Sequence, residues 1–338
     1  MDEHFEAIDA QTFLNAGSLD ARRSLQGAEL QHIFWRYKSL EKELERQKAF
    51  WKSTNDTLAQ AFVQVREQER ELKEKNELLS QSYRQLHALT ERLQTELALA
   101  RQIQQSLLPP RQPAWAGLSV YCVCIPAREV GGDFYDYHPL GEGRFALAVG
   151  DVSDKGMSAA LLMAISLAHF DSALTFTLPP HEVLAHLDRS LVRYTRATGQ
   201  NCALCYVEID ELKLHIANAG GVPPFIRRAN GSVERLDVGG LPLGVGLGSE
   251  AGYEETTVTL APDDVVILTS DGVVEAKTAG GDLFGFERLE RAIAAGPPAN
   301  PNAMLEHLLS EVSSFVAGAE PHDDLTIVAF QVQAATAG

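Results

Sequence analysis

Cysteine is scarce in this 338-residue chain, long apolar runs are absent, and positive charge is in deficit; each shortage closes a class of answer. The four cysteines form two close pairs, Cys122/Cys124 and Cys202/Cys205. No second pair stands at ligand spacing from Cys202-x-x-Cys205, so neither a zinc site nor a disulfide framework is expected. Both pairs lie in apolar runs and read as buried thiols of a reducing cytosol. No stretch approaches the ~18 uninterrupted apolar residues that a membrane-spanning helix needs. The first ten residues are acidic and lack an apolar core, so no signal peptide is expected. With 29 Lys/Arg against 46 Asp/Glu the net charge is −17, which excludes a general nucleic-acid binder.

The chain has enough apolar residues, 45%, for one catalytic domain with an accessory segment. Its charge is uneven: residues 1–108 hold 15 Lys/Arg and 17 Asp/Glu, the remainder 14 and 29. That shift, with Pro109-Pro110 beside it, places a boundary near residue 108. Three segments follow: an N-terminal helical segment 1–29, a coiled coil 30–108, and a catalytic domain 109–338.

The middle segment carries a seven-residue apolar step: Leu30, Tyr37, Leu44, Trp51, Leu58, Val65, Leu72, Leu79, Leu86, Leu93, Ala100 and Leu107. Read as d positions, these imply a positions that are partly polar, among them Glu41, Lys48, Asn55, Asn76, Thr90 and Gln104. An intact d seam beside a polar a seam predicts a specific, weakly stable coiled coil, and therefore a homodimer through 30–107. Ser53-Thr54-Asn55-Asp56 offers a break into separate helices, because such side chains compete with helical hydrogen bonds. The heptad phase crosses it intact, which favours one helix of about 115 Å. Two prolines end it.

Beyond Pro110 the periodicity changes. Strands are expected at 118–125, 144–152, 201–209, 213–218, 256–260, 265–269 and 325–332, and helices at 157–175, 181–197, 286–295 and 301–316. Paired helices between hairpin-linked strands predict an α+β domain of antiparallel sheets. Four aspartate motifs punctuate strand ends: Gly131-Gly132-Asp133, Gly150-Asp151-Val152, Asp271-Gly272 and Asp323-Asp324. Carboxylates there, with a glycine-adjacent carbonyl, suit hard divalent cations.

These motifs, in order with Gln105-Ser-Leu-Leu-Pro109, Val130-Gly-Gly-Asp-Phe-Tyr-Asp136, Asn218-Ala-Gly220, Pro242-Leu-Gly244, Phe284-Gly285 and Asp323-Asp-Leu-Thr326, resemble the SpoIIE-type branch of the PPM family of metal-dependent Ser/Thr protein phosphatases. The resemblance covers roughly 100–333. It implies a four-layer α/β/β/α sandwich and two divalent cations, Mn²⁺ or Mg²⁺. Their ligands would be Asp133, Asp151, the Val152 carbonyl, Asp271, Asp323 and Asp324, the last standing where the family has a carboxylate or an amide. The catalytic set would be Asp133, Asp151, Asp271 and Asp323, directing water onto a phosphoserine or phosphothreonine. The resemblance further implies a cytoplasmic regulator whose substrate is a phosphorylated STAS-type anti-sigma-factor antagonist, with an activator protein acting at the N-terminus. Two departures stand out: Asp154 replaces a glycine, and Gly221 replaces a histidine.

Rival readings are weaker. Cys122-x5-Arg128 has Cys-phosphatase spacing but encloses a proline in a β-like run instead of a phosphate-cradling turn. Gly244-Val-Gly-Leu-Gly248 lacks the context of a nucleotide loop. His322-Asp323 lacks partner histidines for an HD site, and His169, His181 and His186 read as ordinary helix residues. A non-enzymatic coiled-coil scaffold that keeps the fold is the alternative from another class.

Overall fold

The computed structural model describes residues 19–333, with side chains from residue 27 onward. The chain divides into two units, Met1–Thr90 and Glu91–Gly338. A single helix, α1 (Leu19–Leu107), supplies the first unit's described structure and enters the second. Of the segment 1–29, residues 1–18 lie outside the described residues. The Ser53–Asp56 stretch does not break α1. Thr54 and Thr57 satisfy their hydroxyls by donating to carbonyls one turn back, Phe50 and Ser53, at 2.9 Å. The d-position side chains remain exposed along the first unit, from 50% at Leu58 to 69% at Leu79.

The second unit holds ten strands in two five-stranded sheets. One has the order β2 (Phe134–Gly141), β3 (Arg144–Val152), β4 (Cys202–Asp210), β5 (Lys213–Ala219), β8 (Glu255–Thr259). The other runs β1 (Leu118–Ile125), β10 (Leu325–Val332), β9 (Val265–Thr269), β6 (Phe225–Arg227), β7 (Val233–Arg235). Neighbouring strands are antiparallel throughout.

Period-two alternation sorts the side chains into three cores. On β3, Leu147 and Val149 face the opposing sheet, while Ala146 and Ala148 face helices α2 (Met157–Leu174) and α3 (Pro180–Thr198). On β9, Val266 and Leu268 face between the sheets, and Val265 and Ile267 face α6 (Gly285–Ala295) and α7 (Pro301–Val316). The four-layer α/β/β/α sandwich is thereby present. Two short helices, α4 (Gly248–Ala251) and α5 (Asp271–Val274), complete the elements. One helix among the described residues, α2, is long and apolar enough to cross a membrane by composition. Its Leu162, Met163, Leu167 and Phe170 are instead buried against the sheet.

Candidate active site

All four aspartate motifs lie at one edge of the paired sheets. Asp133 immediately precedes β2, and Asp151 is the next-to-last residue of β3; Phe134 pairs with Gly150, so the two carboxylates are neighbours across one ladder. Asp271 opens α5 at the end of β9, and Asp323 stands two residues before β10. Ile327 pairs with Thr269, so these two share an edge of the other sheet. A cross-tie fixes that second pair: Ser270 N–H donates to the Thr326 carbonyl and Thr326 N–H to Ser270 Oγ, both at 3.0 Å. Gly272 is required there because a Cβ would run into the Asp324 carbonyl.

The carboxylates are crowded and mutually repelling. Burial, then the charge of Asp151, holds Asp133 well above the usual carboxylate range. Burial, then the charges of Asp271 and Asp323, pushes Asp151 up to about 7. Asp271 is raised to about 6 by burial and then by Asp323 and Glu275, against the pull of Lys155. Asp133 is 3% exposed, and its Oδ2 has no hydrogen-bond partner. A buried, unsatisfied oxygen among raised carboxylates fits a site built to hold cations. The Val152 carbonyl packs against Gly132 of the same loop, where a Cβ would run into it, and Val152 N–H donates to the Gly132 carbonyl at 3.3 Å. A cleft of about 240 Å³ opens beside Asp151 and Asp271, lined also by Gly220, Gly221, Glu275 and Phe286.

Asp324 is placed differently from the others. Its Oδ1 accepts from Ala127 N–H at 2.7 Å and its Oδ2 from Gly132 N–H at 2.6 Å. Both oxygens therefore anchor the backbone that carries Asp133, so Asp324 supports the site where the resemblance gave it a ligand role. Sequence reasoning missed three further contributors. Lys155 Nζ pairs with Asp323 Oδ2 at 3.0 Å; Ser270 and Thr326 form the cross-tie; and Gln104 grips the Gly131 backbone through two hydrogen bonds. For Gln104 a signal existed: a polar side chain at an a position of the heptad.

The two departures have local explanations. Asp154 has φ +67, the left-handed region that glycine occupies freely and aspartate tolerates. Gly221 is closed in a turn with Asn218, donating to its Oδ1 at 2.8 Å and accepting from its Nδ2 at 2.9 Å. The rival motifs also resolve. Cys122 is buried, and desolvation drives its thiol far up, the reverse of a nucleophile's need. The glycine loop at 244–248 turns its amides onto an internal carboxylate: Gly244 and Gly246 donate to Asp188 Oδ1 at 2.7 and 3.2 Å. Asp136, His138 and Asp171 form a separate group, with ligand atoms within 4.8 Å of one another, on the α2-facing side of β2.

Residues 141–333 match the family model described as Stage II sporulation protein E (SpoIIE). The chain is 26% identical over 254 residues to phosphoserine phosphatase RsbU of Bacillus subtilis, covering 73% of each. It is 27% identical over 262 residues to Protein IcfG of Synechocystis, covering 69% of this chain but only 41% of that one. Among solved structures, the SiaA-PP2C domain of Pseudomonas aeruginosa superposes with a TM-score of 0.65 at 23% identity, covering 73% of this chain and 99% of that domain. The PP2C phosphatase domain of SpoIIE from Bacillus subtilis, with a fragment of its regulatory domain, superposes with a TM-score of 0.56 at 20% identity, covering 64% and 62%.

Proposed function

The chain belongs to the SpoIIE family of PP2C-type phosphatases, and from that premise we propose that it is a protein serine/threonine phosphatase. Its substrate would be a phosphorylated, STAS-type anti-sigma-factor antagonist in a partner-switching pathway. The observation that carries the reading is the edge cluster itself, with Asp133 Oδ2 buried and unpaired amid carboxylates that raise one another. Asp133, Asp151, Asp271 and Asp323, with the Val152 carbonyl, would hold two divalent cations, Mn²⁺ or Mg²⁺. Cations so held supply an activated water and neutralise charge on the phosphate.

The chain's own residues do the positioning. Asp133 and Asp151 are fixed by their shared ladder, Asp271 and Asp323 by the Ser270–Thr326 tie. Lys155 pairs with Asp323 and brings a positive charge to the acidic edge. The cleft beside Asp151 and Asp271 receives the phosphorylated side chain.

A scaffold that merely kept the fold would gain nothing from burying uncompensated carboxylates, each of which costs stability. The relatives' names support the substrate class: RsbU and RsbP are both phosphoserine phosphatases. Dimerisation through 30–107, an activator acting at the N-terminus and a cytoplasmic setting complete the proposal, the first resting on the exposed d-position stripe. The test is Mn²⁺-dependent phosphate release from a phosphoserine protein by wild type and Asp151→Ala. The expected result is a loss of at least about 10²-fold in the variant. Equal rates would remove the metal mechanism, and no release from any phosphoprotein by wild type would favour the scaffold.

A further inference from the structure

We infer that Gln104 is a positioning residue for Asp133, the device by which the last turns of α1 set the geometry of the cation site; this rests on the phosphatase reading above. The side-chain amide takes both backbone polar groups of one residue, Gly131. Gln104 Nε2 donates to the Gly131 carbonyl at 2.6 Å, and Gln104 Oε1 accepts from Gly131 N–H at 3.1 Å. On its other side the same residue meets Asp324: a Cβ on Gly131 would collide with that carboxylate. Asp324 in turn holds Gly132 N–H at 2.6 Å and Asp133 N–H at 3.4 Å. The Gly131–Asp133 loop is thus clamped between a helix side chain and a core carboxylate, and Asp133 projects from it.

Only one jaw of this clamp belongs to the sandwich. Asp324 adjoins β10, whereas Gln104 belongs to α1, within four residues of its end. Gln104 Nε2 also lies 3.8 Å from Met163 Sδ on α2, the helix that follows the Asp151 motif. One amide therefore touches both the Gly131–Asp133 loop and the helix packed on that sheet. A glutamine here forfeits apolar packing at an a position of the heptad, and the clamp is what it does instead. Rotation or withdrawal of α1 by a fraction of a turn would break two hydrogen bonds to the loop and free Asp133 to move. Such a device makes cation affinity, and through it turnover, a function of the helix's position.

The test uses the full chain and reads metal binding without turnover, by the electron paramagnetic resonance signal of free Mn²⁺. Wild type, Asp151→Asn, Gln104→Met and Gln104→Ala are compared. Gln104→Met keeps the side chain's bulk but loses both hydrogen bonds; Gln104→Ala loses bulk as well. Losing two hydrogen bonds weakens Mn²⁺ binding about tenfold in both Gln104 variants. The metal-free melting temperature of Gln104→Met stays within about 3 °C of wild type. A Gln104→Met chain that binds Mn²⁺ as wild type does overturns the inference. So does one that melts much earlier without metal, since Gln104 would then be a structural residue. If wild type sequesters no Mn²⁺, or Asp151→Asn sequesters it equally, the phosphatase reading fails and this inference with it. Wild-type binding that is lost in Asp151→Asn and retained in Gln104→Met sinks the inference alone.

Discussion

His138 lies between two carboxylates, its Nε2 3.0 Å from Asp136 Oδ2 and 2.9 Å from Asp171 Oδ1. The ring nitrogen meets neither oxygen in line, so attraction between charges dominates the contact. Proximity to Asp136, with the charges of Asp136 and Asp171, raises the histidine's pKa against the opposing effect of burial. A raised folded-state value means that the protonated ring stabilises the fold below the ordinary histidine range, near ~6.5, and that this stability is lost as pH rises through the folded value. Asp171 is well exposed, so screening limits the gain to below about 1 kcal/mol. Melting curves of wild type and His138→Gln between pH 5.5 and 8.5 should therefore show a gap at the acidic end that closes at the alkaline end. A gap independent of pH would mean that the ring contributes by packing alone, against Phe170.

Among the elements, α1 leaves the helical stripe and enters the sandwich through a fixed joint. Tyr135 OH donates to the Pro109 carbonyl at 2.8 Å and Tyr137 OH to the Pro110 carbonyl at 2.7 Å, while Leu108 packs into the cores on both faces of β2's sheet. With the exit fixed and Gln104 gripping the loop, register along α1 should matter to the site. One residue inserted after Ser80 rotates the upstream stripe by about 100° relative to the joint, whereas seven restore the heptad phase. We expect the single insertion to change phosphate release at fixed Mn²⁺ and the seven-residue insertion to leave it near wild type. Equal rates in both would separate the coiled coil from catalysis. Four strands were legible because continuous apolar runs marked them: β1, β3, β9 and β10 have the boundaries those runs predict. β2 was not, since Asp136 and His138 interrupt its apolar run and Pro139 breaks its end. β6 and β7 are three residues each, too short for any period to register. The site aspartates were legible as glycine-flanked points at strand ends. Their supports Lys155, Ser270 and Thr326 were not, because their roles come from residues more than twenty positions away that only folding brings near; Gln104 left only the trace of a polar residue at an a position.

At the scale of the whole molecule, two unlike demands share one chain. The catalytic unit must hold like charges together at one sheet edge, and it does so on a rigid double sheet. The helical unit buries almost nothing by itself: Leu30, Leu44, Leu58, Leu72, Leu79 and Leu86 are each at least half exposed. An 89-residue helix with that stripe in water is stabilised by a second apolar face, and the repeating step makes another copy of the same helix the natural partner. The polar a positions, Lys48, Asn55 and Asn76 among them, weaken such a pair and fix its register. The resulting dimer should be concentration-dependent in the micromolar range, tight enough to form and loose enough to be altered by a partner at the N-terminus. Sedimentation equilibrium of the full chain should give a monomer–dimer isotherm, and Leu58→Lys with Leu79→Lys should leave monomer alone. Because both leucines belong to the helical unit and neither is a member of the sandwich cores, the double variant should keep the wild-type melting transition of the catalytic unit. A double variant that still dimerises would place the interface elsewhere and leave the d-position stripe without a role.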